Sequence, residues 1–194
     1  MKRTFDIILS LVCLLVLMPL FLAVTAAIKA SMPGPVFFKQ SRIGRHGKSF
    51  RIIKFRSMVV NREPVSITLE SDRRITPLGR YLRKSKIDEL PQLWNILIGQ
   101  MSFVGPRPDL PGYADQLTGH DRIILSLRPG LTGADSLAYP AEESILANQP
   151  NPEMYYNKVL YPEKVRINKE YVLNRSFWGD VKIIWNTFLW LIRK

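Results

Sequence analysis

The sequence has few residues that could build disulfides or zinc sites. Its 194 residues contain one cysteine, Cys13, and two isolated histidines, His46 and His120. A single thiol leaves no intramolecular disulfide and no cysteine-based metal site, and it suits a chain that faces the cytoplasm. We therefore expect no redox chemistry, and we expect both histidines to be surface or internally hydrogen-bonded residues rather than ligands or bases.

Acidic residues are almost missing from the first third of the chain. Residues 1–62 contain eleven Lys or Arg and one acid, Asp6, whereas residues 111–194 are nearly balanced at ten basic and nine acidic residues. A basic segment of this kind attracts anionic lipid and phosphorylated ligands. Nucleic acid is the obvious rival partner. However, the sequence has no zinc-finger spacing, helix-turn-helix signature or RNA-binding aromatic motif, so we expect no nucleic-acid binding.

Charge is absent from a long stretch near the N-terminus. Ile7 to Ile28 is an uncharged run of 22 residues, which as a helix would extend about 33 Å, enough to cross the hydrocarbon core of a bilayer. Lys2 and Arg3 precede it and Lys29 follows it, and basic residues on both flanks argue that both ends stay in the cytoplasm. Pro19 removes a helix hydrogen bond near the middle. The sequence therefore predicts a re-entrant helix-break-helix with its kink at Pro19.

Three other interpretations of this run stay open. A single-span anchor would have the same length. A cleaved signal peptide would explain the basic start and the small residues at Ala23–Ala27, although the run is longer than a usual signal core. A core helix of a soluble domain would show an amphipathic pattern, which the run lacks. The re-entrant form itself needs partners for the backbone groups at the break.

The rest of the chain has room for one compact domain, and the sequence contains no internal repeats. A β-hairpin is predicted from Val36–Gln40 and Ser49–Phe55, joined by a turn at Gly44–Gly47. The stretch Asn61–Ser71 is predicted to be a loop.

A helix is predicted to begin at Thr76, with Pro77 at its first position and with Leu78, Tyr81 and Leu82 facing inward. The cations along and after this helix either hold a pyrophosphate or form a solvated basic face. They are Arg80, Arg83, Lys84 and Lys86.

Two adjacent acids, Asp88 and Glu89, open the next apolar pattern. A helix that starts near Asp88 and tolerates Pro91 in its first turn would bury one stripe of side chains. That stripe is Leu90, Leu93, Trp94 and Leu97. The positive end of the helix would help to keep Asp88 ionised and would favour a phosphate. The structural alternative is an Asp88 N-cap followed by Glu89 at the first helical position.

The C-terminal region is rich in aromatic residues and contains three of the four tryptophans. Apolar residues recur there at helical spacing, at Phe177, Val181, Ile184, Phe188 and Leu191. This pattern predicts an amphipathic helix that lies in the membrane interface. A core helix of an ordinary domain is the alternative.

Ordered motifs along nearly the whole chain resemble the bacterial sugar transferases, which are monotopic polyprenyl-phosphate phosphoglycosyl transferases. The motifs are Lys2-Arg3-Thr4-Phe5-Asp6 with Pro19, Pro33-Gly34-Pro35-Val36-Phe37-Phe38-Lys39-Gln40, Arg42-Ile43-Gly44, Lys54-Phe55-Arg56-Ser57-Met58, Leu78-Gly79-Arg80, Asp88-Glu89-Leu90-Pro91-Gln92, Met101-Ser102-Phe103-Val104-Gly105-Pro106-Arg107-Pro108 and Arg128-Pro129-Gly130-Leu131-Thr132-Gly133. Larger relatives carry further membrane helices before this core, so the chain looks like the minimal catalytic form.

Together with these patterns, the resemblance implies an α+β, membrane-associated protein. We expect a re-entrant membrane helix at residues 1–30 and a small compact cytoplasmic catalytic domain at residues 31–194. The catalytic domain would contain a short β-hairpin, several helices and the C-terminal interfacial amphipathic helix.

The reaction that the resemblance implies moves a sugar phosphate from a nucleotide-activated sugar, usually a UDP-sugar, to polyprenyl phosphate. It takes place at the cytoplasmic face of the bacterial inner membrane and starts glycan assembly. Asp88 matches the nucleophile and a Mg²⁺ ligand. Glu89 matches a neighbouring acid that either handles a proton or helps to place the metal. The matching phosphate-binding cations are Lys54, Arg83, Arg107 and Arg128.

The implied partners are the nucleotide-sugar donor, the polyprenyl phosphate acceptor and anionic membrane lipids, and self-association into a homo-oligomer is left open. A catalytically silent membrane scaffold for glycan-assembly enzymes is the alternative function. One stretch departs from the family pattern. Where many relatives continue Leu-Ala-Gln-Val after Thr132-Gly133, this chain has Ala134-Asp135-Ser136-Leu137. We expect this region to help select the nucleotide or the sugar.

Overall fold

A computed structural model describes residues 1–59, 72 and 74–193 of the chain. The helices with α or π geometry are α1 (Lys2–Val16), α2 (Met18–Ser31), α3 (Pro77–Lys84), α4 (Gln92–Leu97), α5 (Ala134–Ala138), α6 (Glu142–Ala147), α7 (Pro152–Tyr155), a π segment (Tyr156–Leu160), α8 (Tyr161–Asn174) and α9 (Phe177–Arg193). The strands are β1 (Phe37–Ile43), β2 (Ser49–Phe55), β3 (Ser102–Val104) and β4 (Gly130–Thr132). Short 3-10 turns lie at Arg45–Gly47, Ile87–Glu89, Ala114–Gln116 and Gly119–Ser126. The predicted α+β class is confirmed.

The N-terminal apolar run forms two helices, α1 and α2, that meet at Leu17 with a bend of 59°. Pro19 lies in the first turn of α2, where a missing N–H is tolerated. No single helix of the described part of the chain is both long and apolar enough to span a bilayer, whereas α1 and α2 together pass that test as a bent pair. The predicted break is therefore present, and it lies two residues before the proline.

The bent pair packs one face on the rest of the protein. Val24 and Ile28 of α2 are buried in a cluster with Val36, Phe55 and Leu82, so α2 lies on the hairpin and on α3. A second cluster joins α4, β2, β3 and α8 beneath α1. Its buried members are Ile52, Leu93, Ile96, Met101, Phe103, Val104 and Tyr171. The opposite face of the pair is exposed and apolar, at Ile8, Leu11, Val12, Leu15, Val16, Met18 and Leu22.

Charged residues at the start of α1 bind the body of the protein. Lys2 Nζ lies 2.7 Å from Asp180 Oδ2 and donates to the Val104 carbonyl at 2.8 Å. The Arg3 guanidinium donates to the Ile96 and Leu97 carbonyls at 2.6 and 2.8 Å, where α4 ends. A cation there satisfies carbonyl groups that have no partner within the helix. These basic residues belong to the segment that the sequence predicted to attract anionic lipid, and in the structure they fix α1 to the domain.

The two sheets formed by the described residues are small, and they differ in strand direction. β1 and β2 are antiparallel, with Phe37 opposite Phe55 and Ile43 opposite Ser49. This confirms the predicted hairpin, whose first strand extends three residues further than predicted. β3 and β4 are parallel. At Gly130, an added Cβ would lie 2.3 Å from the Gly105 nitrogen, so the close approach of the two segments requires glycine.

α3 begins as predicted, because the Thr76 side chain accepts a hydrogen bond from the Gly79 N–H at 3.0 Å and Pro77 follows it. Leu82 is buried, but Tyr81 is 65% exposed, so the inward placement of Tyr81 was wrong. The short α3 presents only a narrow face to α2, and Leu78 and Leu82 occupy it. The predicted loop Asn61–Ser71 lies outside the described residues.

α9 packs Ile183 and Ile184 on the core, and Asp180 is buried beside Tyr171. Phe177, predicted on the apolar face, is 37% exposed, and Phe188 is 51% exposed. Exposed aromatic residues thus remain on a helix whose other face is packed. The helix combines features of the two alternatives given by the sequence, a core helix and an interfacial one.

Candidate active site

The acidic pair lies in a tight turn before α4. Asp88 and Glu89 belong to the 3-10 turn Ile87–Glu89, which follows Lys86 in the left-handed conformation at φ 58°. α4 starts four residues later, at Gln92, so the prediction of a helix beginning near Asp88 was wrong. Trp94, predicted to be buried, is 50% exposed, and its place inside is taken by Asn95. The left-handed residue at position 86 reverses the chain after α3 and directs both acids inward.

Asn95 joins α4 to the hairpin. Its Oδ1 accepts from the Ile53 N–H at 3.1 Å, and its Nδ2 donates to the Arg51 carbonyl at 2.8 Å. These bonds fix β2 beside the turn and place Lys54 next to Glu89. The position of the site therefore depends on a buried amide that sequence reasoning missed.

Glu89 is paired with two cations. Its Oε1 lies 2.8 Å from Lys54 Nζ and 2.8 Å from Arg107 NH2, which comes from the loop after β3. Burial of Glu89 opposes ionisation, but the nearby charges of Arg107 and Lys54 hold the pKa of this carboxyl well below its usual range. Burial lowers the pKa of Lys54, while Glu89 raises it. Glu89 is therefore a stable anion that orients two cations.

Asp88 is also buried, but one of its carboxylate oxygens lacks the partners that Glu89 has. Its Oδ1 has no hydrogen-bond partner among the described residues. Burial and the negative charge of Glu89 raise the pKa of Asp88 to about 6, against the attraction of Lys54, Lys86 and Arg83. At neutral pH the carboxylate is therefore mostly ionised and has an unshared oxygen in a cationic setting. Such an oxygen can bind a metal ion or attack an electrophile.

The other predicted cations divide into two groups. Arg83 lies near Asp88, and its guanidinium is 2.6 Å from Glu143 Oε1 of α6. Arg128 behaves differently, since its Nε donates to the Gly99 carbonyl at 2.7 Å, beyond the far end of α4. Lys54, Arg83 and Arg107 thus surround the acids, whereas the described contact of Arg128 is a structural one. The assignment of Arg128 to phosphate binding stays a prediction, since this bond uses only its Nε.

The family model for the bacterial sugar transferases matches residues 1–194. This chain belongs to that family. It is 35% identical, over 96% of its length, to the UDP-glucose:undecaprenyl-phosphate glucose-1-phosphate transferase of Escherichia coli strain K12. It is 34% identical, over its whole length, to the undecaprenyl-phosphate galactose phosphotransferase of Salmonella typhimurium. The chain spans 39% and 41% of the lengths of these two relatives.

A relative of more similar size is the exopolysaccharide production protein ExoY of Rhizobium meliloti. It is 34% identical to this chain, and the match covers 96% of the chain and 83% of the relative. The match to ExoY therefore includes the region of this chain that forms the candidate site.

Further charged side chains extend the site beyond the residues selected from sequence. Burial lowers the pKa of Arg42 to about 10 and raises that of Asp109 to about 7. Asp135 and Glu142 add to the rise at Asp109 and also raise the pKa of Arg107. Arg42 lay in a motif noted in the sequence, and Asp135 lay in the stretch that departs from the family pattern. No local pattern marks Asp109 or Glu142.

The site can accommodate a divalent cation with few protein ligands. Among residues 1–59, 72 and 74–193, no group of three or more His, Cys, Asp or Glu side chains is arranged to hold a metal ion. Magnesium, however, is commonly held by one or two carboxylates together with substrate phosphates and water. Both ion pairs of Glu89 use Oε1, and Asp88 Oδ1 is unshared. The residues present thus fit Mg²⁺ with Asp88 as its ligand.

Proposed function

We propose that this chain transfers a sugar phosphate from a UDP-sugar to polyprenyl phosphate and thereby starts glycan assembly. The observation that carries this proposal is the buried Asp88 carboxylate, with one unpartnered oxygen, beside a Glu89 that holds two cations. The names of the E. coli relative and of an Aeromonas hydrophila relative include a UDP-sugar donor and an undecaprenyl-phosphate acceptor. Phosphoryl transfer relies on positioning and on neutralising negative charge, and this arrangement offers both.

In the first step, an Asp88 carboxylate oxygen attacks the phosphorus that carries the sugar. A bond forms between Asp88 and that phosphorus, and the bond to the bridging oxygen breaks. UMP leaves with the electron pair, so a sugar phosphate remains on Asp88 as an acyl phosphate. Arg107 and Lys54 offset repulsion between the attacking carboxylate and the pyrophosphate. When bound, Mg²⁺ would supply additional neutralisation of the pyrophosphate charge, with Asp88 as its protein ligand.

In the second step, a phosphate oxygen of polyprenyl phosphate attacks the same phosphorus. The new pyrophosphate bond forms as the bond to Asp88 breaks, which regenerates the carboxylate. The low pKa of Glu89 makes it a poor proton acceptor near neutral pH, because its ion pairs stabilise the charged form. We therefore assign Glu89 the role of positioning Lys54 and Arg107, rather than that of a general base.

We also propose that α1 and α2 enter the cytoplasmic leaflet of the bacterial inner membrane as a re-entrant pair. The pair has an exposed apolar face, and α1 begins with residues bonded to the same domain to which α2 leads. Both ends of the pair consequently lie on one side. A lipid acceptor explains this placement, because its phosphate lies at head-group depth beside a basic protein surface. Mg²⁺ and anionic lipids complete the proposed set of partners.

The proposal is tested with the full-length protein in membranes or nanodiscs, Mg²⁺, and a set of UDP-sugars labelled in the sugar. With undecaprenyl phosphate present, label should enter an extractable glycolipid. Without acceptor, label should remain on the protein and be lost from Asp88→Asn. A protein that binds no donor and forms no glycolipid with any UDP-sugar would instead be a silent scaffold, and the proposal would fail.

A further inference from the structure

Asp135 is a buried acid that the proposed chemistry does not use. It lies in α5, is 1% exposed, and neither of its carboxylate oxygens has a hydrogen-bond partner among the described residues. A buried carboxyl without partners is strongly unfavourable, and such a group in a folded protein calls for an explanation. A ligand that donates hydrogen bonds would provide one.

The carboxylate lies beside the candidate active site. Its charge raises the pKa values of both Arg107 and Asp109, which places it close to the loop that follows β3. An added Cβ at Gly133 would lie 2.7 Å from Asp135 Oδ1 and 2.3 Å from the Gly105 carbonyl oxygen. Asp135 is therefore next to the Gly105–Arg107 segment, whose arginine binds Glu89.

Two nearby cations are already paired. Arg107 binds Glu89 at 2.8 Å, and Lys164 binds Glu142 at 2.9 Å. A ligand that brings its own donors would satisfy Asp135 without disturbing these pairs. A carboxylate accepts hydrogen bonds through two oxygens, which match two neighbouring hydroxyl groups, and a UDP-sugar carries such pairs on both its ribose and its sugar.

We propose that Asp135 binds a hydroxyl pair of the nucleotide-sugar donor and so helps to determine donor specificity, an inference that rests on the proposed function. With the pyrophosphate on Arg107, either ring of the donor comes within reach of α5. A site that is built to hydrogen-bond a hydroxyl strongly rejects an analogue that lacks it, because its own polar group is then left unpaired.

Asp135 is 1% exposed, so a ring of the donor reaches it only if the side chains that cover it move. Glu143 of α6 is bound to Arg83 at 2.6 Å, and its side chain is 45% exposed. A donor phosphate that binds Arg83 would compete with the Glu143 carboxylate for the same guanidinium.

The test uses the full-length protein in nanodiscs with Asp135→Ala, Asp135→Asn and the control Asp121→Asn, an acid whose half-exposed carboxylate pairs with Lys169. Donor affinity is measured by calorimetry and kcat/KM by glycolipid formation. The donors are the accepted UDP-sugar and analogues that lack one ribose or one sugar hydroxyl. We expect either Asp135 variant to lose about 10- to 100-fold in kcat/KM, as for a hydrogen bond to a charged group. Asp121→Asn should match the wild type.

The wild type should also lose a similar factor with one deoxy analogue, and Asp135→Ala should lose almost nothing further with that analogue. Which analogue behaves in this way separates a ribose contact from a sugar contact. The Tm of Asp135→Asn should equal or exceed that of the wild type, because the variant removes an unpartnered carboxylate.

Unchanged kcat/KM in both variants, or equal losses with every deoxy analogue in wild type and variant, would overturn the assignment. A lowered Tm with a proportional loss for all donors would show a structural role instead. If no donor is turned over, the proposed function fails separately, and the calorimetric comparison still decides whether Asp135 contributes to donor binding.

Discussion

Asp88 and Glu89 are adjacent in the chain, but their carboxyl groups have opposite pKa shifts. Glu89 lies 2.8 Å from both Lys54 and Arg107, and its pKa is held well below the usual range. Asp88 has an unpartnered Oδ1 and a pKa raised to about 6. Environments that separate the pKa values of neighbouring acids commonly assign them different roles. Here they suit Asp88 to bond formation and Glu89 to holding cations.

Asp88→Asn should lower turnover by about a thousandfold or more, since an amide cannot act as the nucleophile. Labelled sugar phosphate should also fail to accumulate on the protein when acceptor is withheld. Asp121→Asn is the matched control and should behave as the wild type. Near-normal turnover by purified Asp88→Asn would exclude the covalent route.

The rate of labelling of the protein should fall as the pH drops through about 6, because only the ionised Asp88 attacks phosphorus and its folded-state pKa is about 6. Single-turnover labelling between pH 4.5 and pH 8 measures this fall in rate. A rate that stays constant down to pH 4.5 would show that another group, or a step other than attack, limits the reaction.

Asp88 should also influence stability in a defined direction. Its folded-state pKa is raised from 3.8 to about 6, so its favourable contribution is complete below about pH 3.8 and is lost as the pH rises through 6. Asp88→Asn should therefore have a higher Tm than the wild type at pH 8, and the gain should shrink toward pH 4. Thermal unfolding of both proteins between pH 4 and pH 8 checks the sign of this effect. A gain in Tm that increases toward low pH would contradict the prediction.

Glu89→Gln should reduce both activity and stability. The amide would leave Lys54 and Arg107 without their shared anion, and loss of one partner from a buried pair costs about 3 kcal/mol or more. Thermal unfolding and glycolipid formation should therefore both decline. A variant that kept wild-type stability but lost activity would favour a role for Glu89 as a base.

Arg107→Ala and Arg83→Ala should impair turnover far more than Lys48→Ala, which removes an exposed charge of the hairpin turn. Contacts to buried charged groups contribute more than exposed ones. Membrane association, measured by flotation with vesicles, should be similar in all three variants. Equal losses of activity and of flotation would place the two arginines at the lipid surface rather than in the site.

The re-entrant arrangement predicts that α1 begins on the cytoplasmic side. A cysteine at the exposed position Thr4, in a Cys13→Ser background, should resist a membrane-impermeant thiol reagent in intact cells and react after permeabilisation. Asn148→Cys, on the exposed surface after α6, should behave identically. Position 4 is preferred to position 2 because Lys2 is ion-paired with Asp180.

Adding Pro19→Leu to this background should favour a straight helix of about 33 Å that spans the bilayer. In intact cells, a fraction of the protein molecules should then react at position 4 with the impermeant thiol reagent. Reaction of position 4 in intact cells with Pro19 present would instead establish a spanning anchor.

The sequence by itself determined the elements that local rules control. These elements are the uncharged run that contains Pro19, the pair of strands joined by a turn with glycines, and the helix that begins at Thr76-Pro77. Each of them depends on residues that are neighbours in the chain. The acidic pair stood out in the same way, because its two residues are adjacent. The phosphate-binding cations were selected from the resemblance to the family. Helix boundaries and faces were less predictable. The turn at Ile87–Glu89, the exposure of Trp94 and the exposure of Tyr81 depend on which surfaces the short helices meet.

Only the tertiary structure decided how the charges pair. Lys54, Glu89 and Arg107 come from a strand, a turn and a loop, and Asn95 fixes the first of these beside the second. Arg128 donates to the Gly99 carbonyl. The sequence marked Asp135 only as part of a stretch that departs from the family pattern, and its burial without a hydrogen-bond partner among the described residues depends on the packed structure. Electrostatic interactions depend on distance and on exclusion of water, and the chain acquires both only when distant segments pack together.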